Sequence, residues 1–533
     1  MSSDKREMSN SLGTTEAALV SGVSALLDKG SAAEAPLSDV SHKDLKRRTA
    51  HGAVVSIGAQ AANFVLRTGS MMILARLLFP KDFGLVGMVT AFTGFLGLFR
   101  DAGLSMATIQ RASVTDAQTS TLFWINVAFG GMLAALTVAA APILSLFYHE
   151  PRLFWVTVAL GTSFMFNGAG AQHRAMLQRS MRFTALVAVD IVGLIAGMAA
   201  AIGMAWAGWG YWALVVMNVA PPAVSILALW LVTRWVPGWP ERRSGIRSML
   251  WFGGTITLNN VVCYVAYNAD KVLLGRFWGA DALGIYGRAY QLINLPTENL
   301  NSTLGIVAFP ALSRVQNDPK RLRRYFLQGY GLFLAIAMPI TMECALFSDD
   351  VIRVALGPQW SAAAEIFRLL TPTILAFAIL HPLAWLMLAL GQAVRSLKIG
   401  LLGAPIVILG YAIGISRGPH GVATGYSLAM LLLIVPMVTW AKRGTLITWN
   451  DILKAVGIPF LSVAVGAGII WLLAGQLAQL EPALVRLTAE SAILFATYFV
   501  MLMFVFRQWT TYNTLLRDTG LWGGGQRPKE KVQ

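Results

Sequence analysis

The chain reads as long apolar runs separated by short polar connections. Runs of about 18 or more apolar residues, enough at about 1.5 Å per helical residue to cross a hydrocarbon core of about 30 Å, recur along most of it. Fourteen are predicted, over 50–78, 83–110, 118–147, 153–176, 183–206, 209–233, 246–276, 282–312, 322–347, 360–390, 396–416, 419–441, 452–476 and 483–506. Four of them carry polar stripes. In the first, Ser56, Gln60, Asn63, Arg67 and Ser70 recur at intervals of four, three, four and three, which is one helix face. The seventh offers Asn260, Cys263, Tyr267 and Asp270, with Asn259, Tyr264 and Lys271 beside them. The eighth presents Arg288, Gln291, Asn294, Glu298, Asn301 and Ser302, and the second has Thr90, Thr93, Gly97 and the pair Arg100/Asp101. A polar stripe is costly against lipid, so these four helices are predicted to share a wet, cationic cavity.

Composition agrees with the pattern. Of 533 residues, 56% are hydrophobic and 13% charged, and the mean hydropathy is +0.61, which describes a polytopic, all-α membrane protein. A net charge of +16 would suggest a nucleic-acid partner for a soluble chain. Here the cations alternate from connection to connection instead. Lys43, Lys46, Arg47 and Arg48 precede the first run; Arg174, Arg179, Arg182, then Arg242, Arg243, Arg247, and Arg314 to Arg324 mark later connections on the same side, while those near 148–152, 206–210, 348–358 and 477–482 hold few or none. The positive-inside bias puts both termini in the cytoplasm, as an even number of spans requires, and leaves no role for nucleic acid. The ends, 1–45 and 511–533, are polar and read as disordered cytosolic tails.

One stretch is said twice. ILARLLFPKDFGLVG begins at Ile73 and LLGRFWGADALGIYG at Leu273, so that Leu74, Arg76, Gly84 and Gly87 fall on Leu274, Arg276, Gly284 and Gly287. Two hundred residues enclose six spans, an even number, so the second copy enters the membrane in the same sense as the first. Parallel repeats of this kind place substrate between two halves in transporters. The predicted organisation is an N-terminal lobe over 46–240, a C-terminal lobe over 241–445 with a cavity between them, and two added helices over 446–510.

Individual charges have competing readings. Arg76 and Arg276 stand where their helices leave the membrane and suit snorkelling. Arg67 lies about ten residues deeper, around 15 Å along the helix, and is assigned to the lumen. Asp190 stands alone in VAVDIVGLIAG and either pairs with an arginine of a neighbouring helix or takes up a proton. Glu298 follows Pro296, whose bend frees carbonyls, and Asp270 adjoins Lys271. Asp190, Glu298 and Asp270 are thus the coupling or gating candidates. Glu343 and Arg368 are candidate partners for each other, His381 is read as a core histidine, and Gly193/Gly197 is a small-residue packing pair. Two cysteines, Cys263 and Cys344, offer neither a disulfide framework nor a metal site. No GxxxxGK[ST] sequence occurs and no connection is long enough for a catalytic domain, so neither an ATPase nor an enzyme is expected.

The segment Ile73 to Arg111, ILARLLFPKDFGLVGMVTAFTGFLGLFRDAGLSMATIQR, together with Ala269 to Phe326 and RAMLQRSMRFTALVAVDIVG from Arg174, resembles Wzx-type oligosaccharide flippases, the polysaccharide-biosynthesis branch of the multidrug/oligosaccharidyl-lipid/polysaccharide exporter superfamily. The resemblance runs from about 45 to 510. It implies fourteen helices in two six-helix lobes plus two, in the bacterial inner membrane. The substrate it implies is an undecaprenyl-diphosphate-linked oligosaccharide repeat unit, moved from the cytoplasmic to the periplasmic leaflet by alternating access. Arg67, Arg100, Arg288 and Lys271, with Gln60, Asn63, Asn260 and Gln291, would then meet the diphosphate head group. It implies no cofactor, leaves coupling to H+ or Na+ open, and suggests a polysaccharide polymerase and co-polymerase as partners beside membrane lipids. The rivals are a drug/cation antiporter of the same superfamily, which would want an acidic cavity, and a repeat-unit polymerase, which would want a large outward loop.

Overall fold

The computed structural model describes residues 42–100, 115–240 and 247–508; the side chains of 42–57 and 247–260, with Ser56, Asn259 and Asn260, lie outside the described set, as do Cys263 and Asp101. Among the described residues there is no strand. The helices are α1 His42–Leu77, α2 Pro80–Gly97, α3 Asp116–Tyr148, α4 Leu153–Arg179, α5 Phe183–Trp206, α6 Tyr211–Thr233, α7 Arg247–Arg314, α8 Pro319–Leu346, α9 Ser348–Ala355, α10 Ser361–Leu370, α11 Pro372–Ala389, α12 Ala393–Gly414, α13 Gly418–Ala441, α14 Trp449–Leu477 and α15 Ala483–Val500. Nine segments among the described residues are long and apolar enough to cross a membrane, one of them running through both α12 and α13. The chain is an all-α polytopic membrane protein, with about fourteen helices among the described residues.

Local sequence explains where helices start and break. Thr115 and Thr448 cap α3 and α14 in capping boxes with Gln118 and Asp451, and Asp318 accepts from the Lys320 and Arg321 amides ahead of α8. Each cap satisfies amides that have no helical partner, worth about 1 kcal/mol. The seventh and eighth predicted spans are joined without a loop. In α7 only Gly279 leaves helical geometry, at φ 79° and ψ −171°, a conformation open to a residue without Cβ. The span predicted over 360–390 is instead two helices, because Pro372 starts α11 with no amide to continue the ladder of α10. The connection before it folds into the short α9.

The chain divides into two compact units. The first holds the described residues up to Leu77 and those from Phe92 to Leu258. In it α3 lies along α4 and α5 along α6. The Gly193/Gly197 pair is where α5 meets α6: a Cβ at Gly193 would stand 2.4 Å from Ser225 Oγ, and one at Gly197 2.5 Å from Pro221 Cγ. Small residues let the backbones approach, and van der Waals packing replaces the hydrophobic effect that lipid cannot supply.

The second unit holds Leu78–Ala91 and everything from Asn259. Its apolar core runs through α8, α11 and the last two helices, with Phe326, Tyr330, Phe333, Leu386, Val463 and Leu494 buried. Arg323 clamps the Asp451 cap of α14 through two hydrogen bonds, of 2.5 and 3.1 Å, and Tyr498 of α15 donates to the Ala335 carbonyl at 2.7 Å. The two copies of the repeated motif meet within this unit. A Cβ on Gly84 would lie 1.7 Å from the Ala280 carbonyl oxygen, and one on Gly284 1.9 Å from that of Pro80. Since Ala280 and Gly284 are Pro80 and Gly84 moved by two hundred positions, the contact is reciprocal, the signature of a local twofold. Each copy of the motif thus packs on the other.

Candidate functional site

The polar face of α1 leads into a cavity of about 630 Å³ inside the first unit. Asn63 and Arg67 reach it from α1, Arg100 from just beyond α2, Asn167, Arg174 and Gln178 from α4, Asp190 from α5 and Asn218 from α6. Arg67 is held over this space by its place on α1; Ser70, one turn on, donates to the Arg67 carbonyl at 2.9 Å. Arg100 Nη1 donates to Asn167 Oδ1 at 3.4 Å, and Asn167 anchors itself on the Ser163 carbonyl at 2.7 Å.

Asp190 is paired. Arg174 grips it with both guanidinium ends, Nη2 to Oδ1 at 2.7 Å and Nη1 to Oδ2 at 3.1 Å. Of the two readings of this carboxylate the structure displays the ion pair. Three arginines therefore face one carboxylate, and among the described residues neither Arg67 nor Arg100 has an acidic partner. With Arg174 neutralised, the described residues leave the cavity two positive charges beside neutral amide side chains. Such a space accepts an anion of about two charges through charge-assisted hydrogen bonds.

The other sequence-derived residues lie elsewhere. Gln60 is exposed on α1, one turn before Asn63. Lys271, Arg288, Gln291, Asp270 and Glu298 belong to the second unit, on α7. There Asp270 is fully buried and accepts from Tyr286 Oη and from the Lys271 amide, both at 2.8 Å. Lys271 Nζ donates to Asn268 Oδ1 at 2.7 Å and lies over the Tyr290 ring at 5.3 Å. The Arg288 guanidinium stacks on Phe83 at 4.3 Å, with its Nε buried and unpartnered. Gln291 and Glu298 are exposed. Asn260 lies outside the described side chains. Arg368 bonds Ser348 and Asp349 rather than Glu343.

Sequence reasoning missed Arg174, counted only among the cations of a connection, and Asn167, Gln178 and Asn218. The signal was present for α4: Ser163, Asn167, Gly170, Arg174 and Gln178 recur at four, three, four and four, one helix face like that of α1.

Among the described residues an all-helical fold surrounds an arginine-lined cavity, the architecture of a polytopic membrane protein with a polar space between its helices. The family described as "Polysaccharide biosynthesis protein" matches residues 73–365, more than half of the chain, and the protein belongs to it. It is 29% identical over 306 residues to the teichuronic acid biosynthesis protein TuaB of Bacillus subtilis (strain 168), a match spanning 56% of this chain and 63% of that one. It is 24% identical over 453 residues to the lipopolysaccharide biosynthesis protein WzxC of Escherichia coli (strain K12), spanning 81% and 90%. In fold it resembles the lipid II flippase MurJ in an inward closed conformation, with a TM-score of 0.68 at 15% identity over 88% of this chain and 99% of that one.

Proposed function

We propose that the protein flips an undecaprenyl-diphosphate-linked oligosaccharide repeat unit from the cytoplasmic to the periplasmic leaflet of the bacterial inner membrane. The observation that carries this reading is the cavity into which Arg67 and Arg100 reach, with no carboxylate partner for either among the described residues. A diphosphate bears about two negative charges and cannot cross hydrocarbon unaided; a cavity lined by the Arg67 and Arg100 guanidiniums replaces its hydration. The polyprenyl tail stays in lipid while the head group passes. A drug/cation antiporter would want the opposite sign, and the cationic cavity does not favour it.

The cycle is alternating access by two lobes, 46–240 and 241–445, with the helices of 446–510 added to the second. Both termini are cytoplasmic, and a polymerase with its co-polymerase takes the product. Where transport is ion-coupled, Asp190, Asp270 or Glu298 is the coupling carboxylate. One cation moving inward down 100 mV supplies about 2.3 kcal/mol, enough to bias the return of an empty carrier. Arg288, Lys271, Gln60, Asn260 and Gln291 complete the path of the head group.

The test is reconstitution. Liposomes loaded with a fluorescent polyprenyl-diphosphate oligosaccharide are scored for the fraction reached by a membrane-impermeant sugar-modifying enzyme. Wild type increases that fraction and Arg67→Ala does not; transport at wild-type rates by both Arg67→Ala and Arg100→Ala would refute the diphosphate assignment. Unchanged pH and sodium dependence after Asp190→Asn, Asp270→Asn and Glu298→Gln would remove the coupling assignment.

A further inference from the structure

One corner of the second unit gathers cations without acids. Between Glu365 and Asp451 the chain carries no aspartate or glutamate. The turn from α11 to α12 and the turn from α13 to α14 lie at the same end of their helices, because α12 and α13 run back to back: a Cβ on Gly410 would stand 2.6 Å from the Gly425 carbonyl oxygen, and one on Gly425 2.1 Å from that of Gly410. Arg395, near the start of α12, ties the two turns together. Its Nη1 donates to Gln392 Oε1 and to the Arg443 carbonyl, both at 2.7 Å. Lys398 stands one turn further along α12, and Lys442, beside Arg443, holds its Nζ over the Trp449 ring at 5.5 Å. Among the described residues none of these four cations has a carboxylate partner. Asp451, the next acid in the chain, is spent on Arg323 and on the Thr448 amide and hydroxyl.

The helix faces leading to these cations are apolar and exposed. On α12, Leu402, Leu409 and Ile413 follow the exposed Lys398 at intervals of four, seven and four; on α13, Leu428, Leu432 and Val435 lead to the exposed Arg443 about two turns on. Each stripe suits lipid and ends at a cation. A positive-inside bias accounts for cations on one side of a membrane but not for their convergence, since two guanidiniums and two ammoniums drawn together repel one another. Arg395 also keeps Nε and Nη2 without an acceptor among the described residues. A phosphodiester relieves the repulsion and takes those donors in charge-assisted hydrogen bonds. Free phosphate meets only the cations, whereas a phospholipid uses the apolar stripes as well. We propose that this corner binds a negatively charged phospholipid, its phosphate on Arg395, Lys398, Lys442 and Arg443 and its acyl chains along α12 and α13. The site is separate from the arginine cavity of the first unit.

The experiment is native mass spectrometry of the full-length protein solubilised with equimolar phosphatidylglycerol and phosphatidylcholine, counting the lipids that stay bound. Wild type retains phosphatidylglycerol in preference to phosphatidylcholine. Each cation near an anionic lipid surface contributes about fivefold to binding, so the double variant Lys398→Gln/Arg443→Gln lowers the preference about 25-fold. Arg417→Gln, which removes one charge at the other end of the same two helices, leaves it unchanged. Equal retention of the two lipids by wild type, an undiminished preference in the double variant, or a loss in Arg417→Gln as large as in Lys398→Gln alone overturns the site. Displacement of the retained lipid by inorganic phosphate overturns the lipid as its occupant. Should the double variant not elute as wild type does, the single variants Lys398→Gln and Arg443→Gln decide: each loses about fivefold, and no loss in either refutes the proposal.

Discussion

Adding one methyl group at Gly84 is the sharpest test of the repeat. In Gly84→Ala the new Cβ would stand 1.7 Å from the Ala280 carbonyl oxygen and 2.5 Å from its carbon, half the shortest ordinary contact distance of 3.4 Å. Both atoms are backbone, so no side chain can swing away and the two helices must part. Overpacking of this kind costs about 1–3 kcal/mol, about a 5- to 150-fold shift against the packed arrangement. Gly284→Ala meets Pro80 O at 1.9 Å and makes the same demand from the other copy. Since parting the helices for one methyl makes room for the other, the double variant loses less than the sum of the singles. Gly87→Ala is the control, because its Cβ touches only Leu283 Cδ2 at 3.5 Å. The assay is thermal unfolding of the purified variants in detergent. Gly84→Ala as stable as Gly87→Ala, or strictly additive losses for the two alanines, would refute the reciprocal contact.

Further outcomes follow from the same geometry. Because the Arg174–Asp190 pair is 41% exposed on each side, Asp190→Asn changes stability by less than about 1 kcal/mol; it frees a third guanidinium, so inhibition of transport by added inorganic diphosphate strengthens, and weaker inhibition would contradict the charge count. Arg67→Ala and Arg100→Ala each weaken the direct binding of inorganic diphosphate to the purified protein by about 10- to 150-fold, the loss of one charge-assisted bond of about 1.5–3 kcal/mol. Asp451→Ala removes the carboxylate half of the α14 capping box and the Arg323 bridge, and thermal unfolding shows a loss of about 1–2 kcal/mol; Thr448→Ala, which loses the hydroxyl cap but keeps the bridge, is destabilised by about 1 kcal/mol.

Much of this protein is written locally. Apolar run lengths decide that helices cross a membrane, since lipid offers no partner to a backbone amide and every spanning segment must satisfy its own. The spacing of Asn63 and Arg67 on α1 marks a wet face for the same reason, and the two-hundred-residue echo around Gly84 announces a duplicated unit. Tertiary structure decided what those local signals could not. Gly279 joins two predicted spans and Pro372 cuts another in two through their own backbone chemistry, but neither says which helix the following segment will pack against. The partner of Asp190 comes from α4, sixteen residues earlier, and periodicity within one helix does not tell which arginine of another will face it. Arg67, Arg100 and Arg174 face one cavity only once α1, α4, α5 and α6 are packed. Sequence fixes which face of a helix is polar; packing fixes what that face meets, because charge complementarity acts through space and not along the chain.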